Sequence, residues 1–218
     1  MHKFQTDFID LAIYAGALKF GSFTLKSGRQ SPYYFNSGVF YTGEFSNALA
    51  SVFAELISHK LKAEKYDIVF APAYKGIPLC VSASMALAKK GVNKGWCFNR
   101  KEAKDHGDKG VFVGSPVKDN DRVILLDDVF TTGGAKEEAM AQLQSVAKVT
   151  FPGVFILLDR QEKDKEGKNA ILEFEKRHKT KVYSVITADE IFEHLKGTEH
   201  IPEAVLKDYQ KYKKEYGV

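Results

Sequence analysis

Two adjacent carboxylates, Asp127 and Asp128, follow the apolar run Val123-Ile124-Leu125-Leu126 and precede Val129-Phe130-Thr131-Thr132-Gly133-Gly134-Ala135. The apolar run reads as a buried strand, and the residues after Asp128 read as a short loop opening onto a helix over Ala135–Val146. In open α/β sheets ligands bind beyond the carboxyl ends of the strands, so the loop stands where a ligand would. Its backbone N–H groups at a helix N-terminus suit a phosphate dianion. Gly133 and Gly134 permit close approach, and Thr131 and Thr132 add hydroxyl donors. Two carboxylates would repel that phosphate, so Asp127 and Asp128 need another partner, either the vicinal hydroxyls of a ribose or a Mg²⁺ ion. The combination asks for a phosphorylated sugar. A strand end with solvated acids and a capped helix accounts for each residue separately, but not for their adjacency behind four apolar residues. Neither GxxxxGK[ST] nor GxGxxG occurs here, which sets nucleotide hydrolases and dinucleotide enzymes aside.

A second candidate anion site is Ala71-Pro72-Ala73-Tyr74-Lys75-Gly76-Ile77-Pro78, where Lys75 and Gly76 stand between a buried strand and a helix. Alone it reads as an ordinary turn with an exposed lysine; beside the acidic motif it reads as a phosphate cradle. A third piece is the stretch from Asn99 to Val111, almost free of apolar residues and carrying Arg100, Lys101, Lys104 and His106. It reads as a mobile loop whose cations could close over a polyanion and stabilise charge on a leaving group once water is excluded.

The elements that must position these groups follow from the apolar spacing. Asp7 to Leu18 predicts a helix ended by Gly21, and Ser22–Lys26 with Pro32–Asn36 predicts a hairpin around Ser27-Gly28-Arg29. Glu44–Leu61 predicts an amphipathic helix. From Tyr66 onward, short apolar runs at Asp67–Ala71, Gly95–Asn99, Val123–Leu126, Val154–Leu158 and Val182–Ile186 alternate with helical segments at Ile77–Lys90 and Ala135–Val146. Such alternation predicts an α/β fold, a mainly parallel twisted sheet flanked by helices. The expected organisation is one domain over residues 1–218, with residues 1–62 as a small N-terminal hood and 66–190 as the core. Pro202–Val218, rich in Lys and Tyr, predicts a surface helix without assigned chemistry.

Composition agrees with a folded chain: 44% of its 218 residues are hydrophobic and 28% charged, enough apolar surface for a sizeable core. The formal charge of +4 is too modest to decide between anionic metabolites and nucleic acid. The N-terminal residues lack a secretory signal pattern, and no stretch has the run of about 20 apolar residues of a membrane span. Cys80 and Cys97 fall in no metal or redox spacing. They read as small apolar side chains in a reducing, cytoplasmic setting.

From Leu11 to Glu162 the chain resembles the type I phosphoribosyltransferases, and among them the stand-alone bacterial and fungal orotate phosphoribosyltransferases. The resemblance implies the fold of that family, 5-phosphoribosyl 1-pyrophosphate (PRPP) and orotate as substrates, Mg²⁺ held mainly through PRPP and water, and transfer of a pentosyl group. By the same resemblance, PRPP meets Lys26, Tyr74, Lys75, Arg100, Lys101, Lys104, His106 and the run Asp127, Asp128, Val129, Phe130, Thr131, Thr132, Gly133, Gly134 and Ala135. Lys104, His106 and Asp128 are the implied catalytic groups. Orotate, flat and carrying a carboxylate, is matched by Lys26, Tyr34, Phe35, Thr131 and Arg160. Many members have Thr where this chain has Ala135, so one hydroxyl contact to the phosphate is missing. The resemblance further implies a homodimer in which each cationic lid serves the neighbour's site, with neither nucleic acid nor membrane as partner. Two alternatives stand beside it. A purine-type phosphoribosyltransferase would share the sugar-phosphate machinery. A nucleic-acid-binding regulator would not need the cationic lid, and only the basic tail around Lys207–Lys214 favours it.

Overall fold

The computed structural model describes residues 1–104 and 110–218, with the backbone alone for residues 101–104. The chain opens with α1 (Lys3–Tyr14), the strands β1 (Leu18–Thr24) and β2 (Gln30–Phe35), and α2 (Gly43–Lys60). The core follows as β3 (Ile68–Ala71), α3 (Gly76–Lys89), β4 (Gly95–Lys104), β5 (Gly110–Gly114), β6 (Val123–Val129), α4 (Gly134–Val146), β7 (Val154–Asp159), α5 (Ala170–His178) and β8 (Val182–Thr187). Two helices end it, α6 (Ala188–Leu195) and α7 (Glu203–Tyr216). The expected α/β architecture is present: a sheet in the order β5-β4-β3-β6-β7-β8, parallel throughout except for β5.

Because side chains alternate across a strand, successive residues of β3, β6 and β7 feed two separate apolar clusters. Val69, Ala71, Ile124, Leu126, Phe155 and Leu157 pack with α1, α2, α3 and α6 on one face. Ile68, Phe70, Val123, Leu125, Val154 and Ile156 pack with α4 and α5 on the other. The hairpin β1-β2 joins the first cluster through Leu18 and Tyr33, so the N-terminal elements share a core with the sheet.

Two sequence expectations are corrected. The first helix ends at Tyr14 rather than Leu18, with Gly16 in a left-handed conformation (φ +69°) just past its end, the usual place for such a glycine. Leu18 is buried as part of β1, and Gly21, expected to end the helix, lies inside that strand where the register slips between Phe20 and Phe23. The second correction concerns the stretch expected as a loop between Asn99 and Val111. β4 runs on to Lys104 and pairs antiparallel with β5, Lys104 opposite Gly110. β5 is an edge strand, partly exposed along its length, and its apolar run Val111-Phe112-Val113 is only three residues long between two glycines, shorter than the runs of the buried strands.

Candidate active site

The parallel sheet brings the chemistry to one edge. β3 and β6 are neighbours with Phe70 opposite Leu125, and β6 and β7 align Val129 with Leu158. The segment after β3, the Asp127–Gly133 segment and Arg160 therefore emerge side by side at the carboxyl ends of adjacent strands. Both helices that begin there, α3 at Gly76 and α4 at Gly134, lack a side-chain cap. At α4 the Gly134 and Ala135 N–H groups remain for an anion. At α3 the Gly76 and Ile77 N–H groups donate to the Pro72 and Tyr74 carbonyls and Pro78 has none, so Lys75 is the donor there. Close packing puts both segments in place. A Cβ on Gly76 would lie 2.6 Å from the Ala71 Cβ. At Gly133 (φ +85°) a Cβ would meet Phe130 at 2.9 Å and Phe174 at 3.0 Å. Glycine is required at Gly133 on both counts. Thr131, Thr132, Gly134 and Ala135 are exposed at the mouth of the loop. Phe130, by contrast, is buried and meets Phe174 edge to face, so its side chain anchors the loop from beneath.

Strand alternation sends the two acids to opposite faces. Asp127 points toward α4, where its Oδ2 accepts from Lys136 Nζ, and that ammonium also donates to the Val129 carbonyl at 2.9 Å. Lys136 is only 3% exposed. Asp127 Oδ1 accepts from the Asp128 N–H at 2.9 Å. Asp128 points toward the other face, where its Oδ2 accepts from the Ser37 hydroxyl and faces Lys75 Nζ at 3.5 Å, and its Oδ1 accepts from the Val129 N–H. The electrostatics differ accordingly. Burial pushes the Asp127 carboxyl up, opposed by Lys136. At Asp128 burial also pushes upward, but the Ser37 hydroxyl, Lys75 and the Val129 N–H together hold the carboxyl below its ordinary value. Asp128 is thus the acid kept ionised at the mouth, with Lys75 exposed across from it.

Of the residues matched to the base, Arg160 follows β7 and is half-buried, its guanidinium 4.2 Å from the centre of the Tyr33 ring. Lys26 is exposed in the turn between β1 and β2. Tyr34 is exposed and stacked on Phe23, whereas Phe35, next along the strand, meets Phe8 edge to face. The two aromatics therefore occupy opposite faces of the hairpin. Tyr74 is exposed beside Lys75, and Arg100 continues β4 beyond Asn99 at the same edge of the sheet. The side chains of Lys101 and Lys104, and His106 entirely, lie outside the described residues.

Three side chains at the site carry no mark in the motifs. Ser37 reaches Asp128 from the segment after the hairpin. Asn99, buried at the end of the apolar part of β4, accepts from the Ala73 N–H at 2.8 Å and donates to Gln142 on α4 at 2.8 Å, tying the Lys75 loop to the helix that carries the phosphate loop. Lys136 alone had a readable signal. With Ala139, Met140 and Leu143 it forms the i, i+3, i+4, i+7 stripe that α4 buries, and a lysine in an inward stripe needs a buried partner.

Comparison with known proteins agrees with this geometry. Residues 42–185 match the phosphoribosyl transferase domain family. The chain is 40% identical to an orotate phosphoribosyltransferase of Clostridium acetobutylicum and 42% identical to one of Proteus mirabilis, in each case over the whole of both chains. Its fold superposes on the crystal structure of an orotate phosphoribosyltransferase from Francisella tularensis with a TM-score of 0.85 and 40% identity, covering 97% of this chain and 100% of that one. An acid pair at a strand end, a glycine-built anion loop behind it and a full-length likeness to these enzymes lead to one assignment: the chain belongs to the orotate phosphoribosyltransferases.

Proposed function

We infer that the protein transfers ribose 5-phosphate from PRPP to orotate, giving orotidine 5′-monophosphate and pyrophosphate in pyrimidine biosynthesis. The observation that carries this reading is the meeting, at one sheet edge, of the Asp128 carboxylate, the Gly133 loop, Lys75 and Arg160. In this reading the 5′-phosphate sits on the N–H groups of residues 131–135, the ribose hydroxyls bond the acids, and the pyrophosphate faces Lys75 and the exposed Tyr74. Arg160 meets the orotate carboxylate, with Lys26, Tyr34, Phe35 and Thr131 as further base contacts. Displacement at the anomeric carbon builds charge on the departing pyrophosphate. Lys104 and His106, with Arg100 and Lys101, supply cations and a proton to it from the β4–β5 lid.

The donor set fits a Mg²⁺ ion carried in on the substrate. No cluster of three or more potential metal-ligating side chains occurs among the described residues, and both acids already accept hydrogen bonds from protein donors. A hard cation that keeps several waters and rests on polyphosphate oxygens needs no protein cage. Asp128 would hold it through water. When bound, it neutralises charge on the pyrophosphate oxygens.

We further propose a homodimer with the lid shared between subunits and a cytoplasmic location, the latter supported by two free, buried thiols. No helix among the described residues is long and apolar enough to cross a membrane. The direct test is spectrophotometric. Orotate's ultraviolet absorbance should fall on adding PRPP with Mg²⁺ and stay constant when the metal is chelated. Incorporation of hypoxanthine, guanine or adenine instead of orotate would replace this reading with a purine one.

A further inference from the structure

The matched family domain stops at residue 185, yet α7, beyond it, reaches back to the base side of the site. Arg160 spends one face on the Tyr33 ring, its Nε on Glu162 Oε1 at 2.7 Å and its Nη2 on the Ser31 hydroxyl at 3.0 Å. Tyr33 is fully buried, and burial pushes its hydroxyl pKa up, so it is a neutral platform. The same Glu162 oxygen accepts from the Tyr212 hydroxyl of α7 at 2.9 Å, while Oε2 faces Arg29 at 3.4 Å. The backbone is joined as well: the Lys163 N–H donates to the Tyr216 carbonyl at 2.8 Å and the Val218 N–H to the Gln161 carbonyl at 3.0 Å. Between Arg160 and Glu162, Gln161 adopts a left-handed conformation (φ +53°), costly for a residue with a side chain and held here by these contacts.

A guanidinium recognises a carboxylate through paired N–H donors in one plane, so its value depends on the angle at which that plane is held. Glu162 sets the plane, and two arginines compete for Glu162. The Tyr212 hydroxyl favours the oxygen that bonds Arg160. We propose that Glu162 and Tyr212 are positioning residues for Arg160, so that α7 sets the preference for a carboxylate-bearing pyrimidine. This rests on Arg160 meeting the orotate carboxylate, as read above.

The test is steady-state kinetics on the full chain with wild type, Tyr212→Phe, Glu162→Gln, Arg160→Lys and the Arg160→Lys/Tyr212→Phe double variant, each checked for folding by its melting temperature. Tyr212→Phe keeps the ring and should raise KM for orotate about tenfold, the loss of one hydrogen bond to a charged group, with KM for PRPP unchanged. Its preference for orotate over carboxylate-free uracil, as a ratio of kcat/KM, should fall by a similar factor, and Glu162→Gln should behave alike. In the Arg160→Lys background Tyr212→Phe should add no further loss. A lower melting temperature with unchanged orotate KM and orotate-to-uracil ratio, or losses that multiply in the double variant, overturns the positioning role and leaves α7 a structural brace. Wild type that converts orotate while Arg160→Lys does so equally well also overturns it. Wild type with no orotate turnover defeats instead the reading of the enzyme on which this rests.

Discussion

At the scale of single residues, the site is governed by how its charges are partnered. Asp127 and Asp128 are adjacent in sequence but belong to different faces of the sheet, and their partners divide the work. Lys136 locks Asp127 to the start of the phosphate loop, and Ser37 with Lys75 holds Asp128 toward the mouth. Removing one partner of a buried pair leaves an uncompensated charge, so Lys136→Met should cost about 3–5 kcal/mol of stability in urea unfolding. The loss should depend on pH. Without Lys136, burial and the neighbouring Asp128 charge are opposed only by the Asp128 N–H, and the folded-state pKa of Asp127 rises further. A carboxyl with a raised folded pKa is destabilising above its unfolded value near 3.8, so the deficit should be full at neutral pH and shrink as pH falls toward that value. A deficit that stays constant over that fall would mean that Asp127 is not the group left unpaired.

At the scale of elements, the site depends on the relative register of β3 and β6, and the far ends of those strands are fastened together. Arg122, just before β6, donates from Nε and Nη2 to the two carboxylate oxygens of Asp67, just before β3, at 2.8 and 2.7 Å. The side-chain hydrogen bonds from Arg122, opposed by partial burial, hold the Asp67 carboxyl well below the ordinary range, at about 2. A depressed carboxylate pKa contributes stability above its unfolded value near 3.8 and loses it as pH falls toward about 2. Asp67→Asn should therefore lower the melting temperature at neutral pH, with the gap to wild type closing on acidification through that window. The pair is partly exposed, so high salt should narrow the gap too. Most elements were legible because buried parallel strands show as apolar runs and amphipathic helices as 3.6-residue stripes. α2, β3, α3 and α4 lie within a residue or two of their expected ends. β5 was not legible, because its three apolar residues Val111-Phe112-Val113 sit between glycines that read as loop. The tail helix was legible as a helix, but not as a clamp. Its buried Tyr209 and Tyr212 bond Asp189 and Glu162, carboxylates that no local pattern pairs with them.

At the scale of the whole molecule, the proposed dimer makes a prediction that a monomer cannot meet. If the lid of one subunit serves the neighbour's site, inactive Lys104→Ala and Asp128→Asn proteins, unfolded together and refolded as a mixture, should regain activity. Random pairing puts one intact site in half the dimers, about a quarter of the wild-type rate. No recovery would place lid and site in the same subunit. What the sequence by itself determined is local in origin: strand and helix periods, the acid pair behind an apolar run, the glycines of the phosphate loop, the fold class and, by resemblance, the family. The tertiary structure decided which charges meet. Ser37 and Asp128 are 91 residues apart, and Glu162 and Tyr212 are 50 apart. Such contacts leave no periodic trace in the chain, because strand order and helix packing, rather than spacing, bring the side chains together.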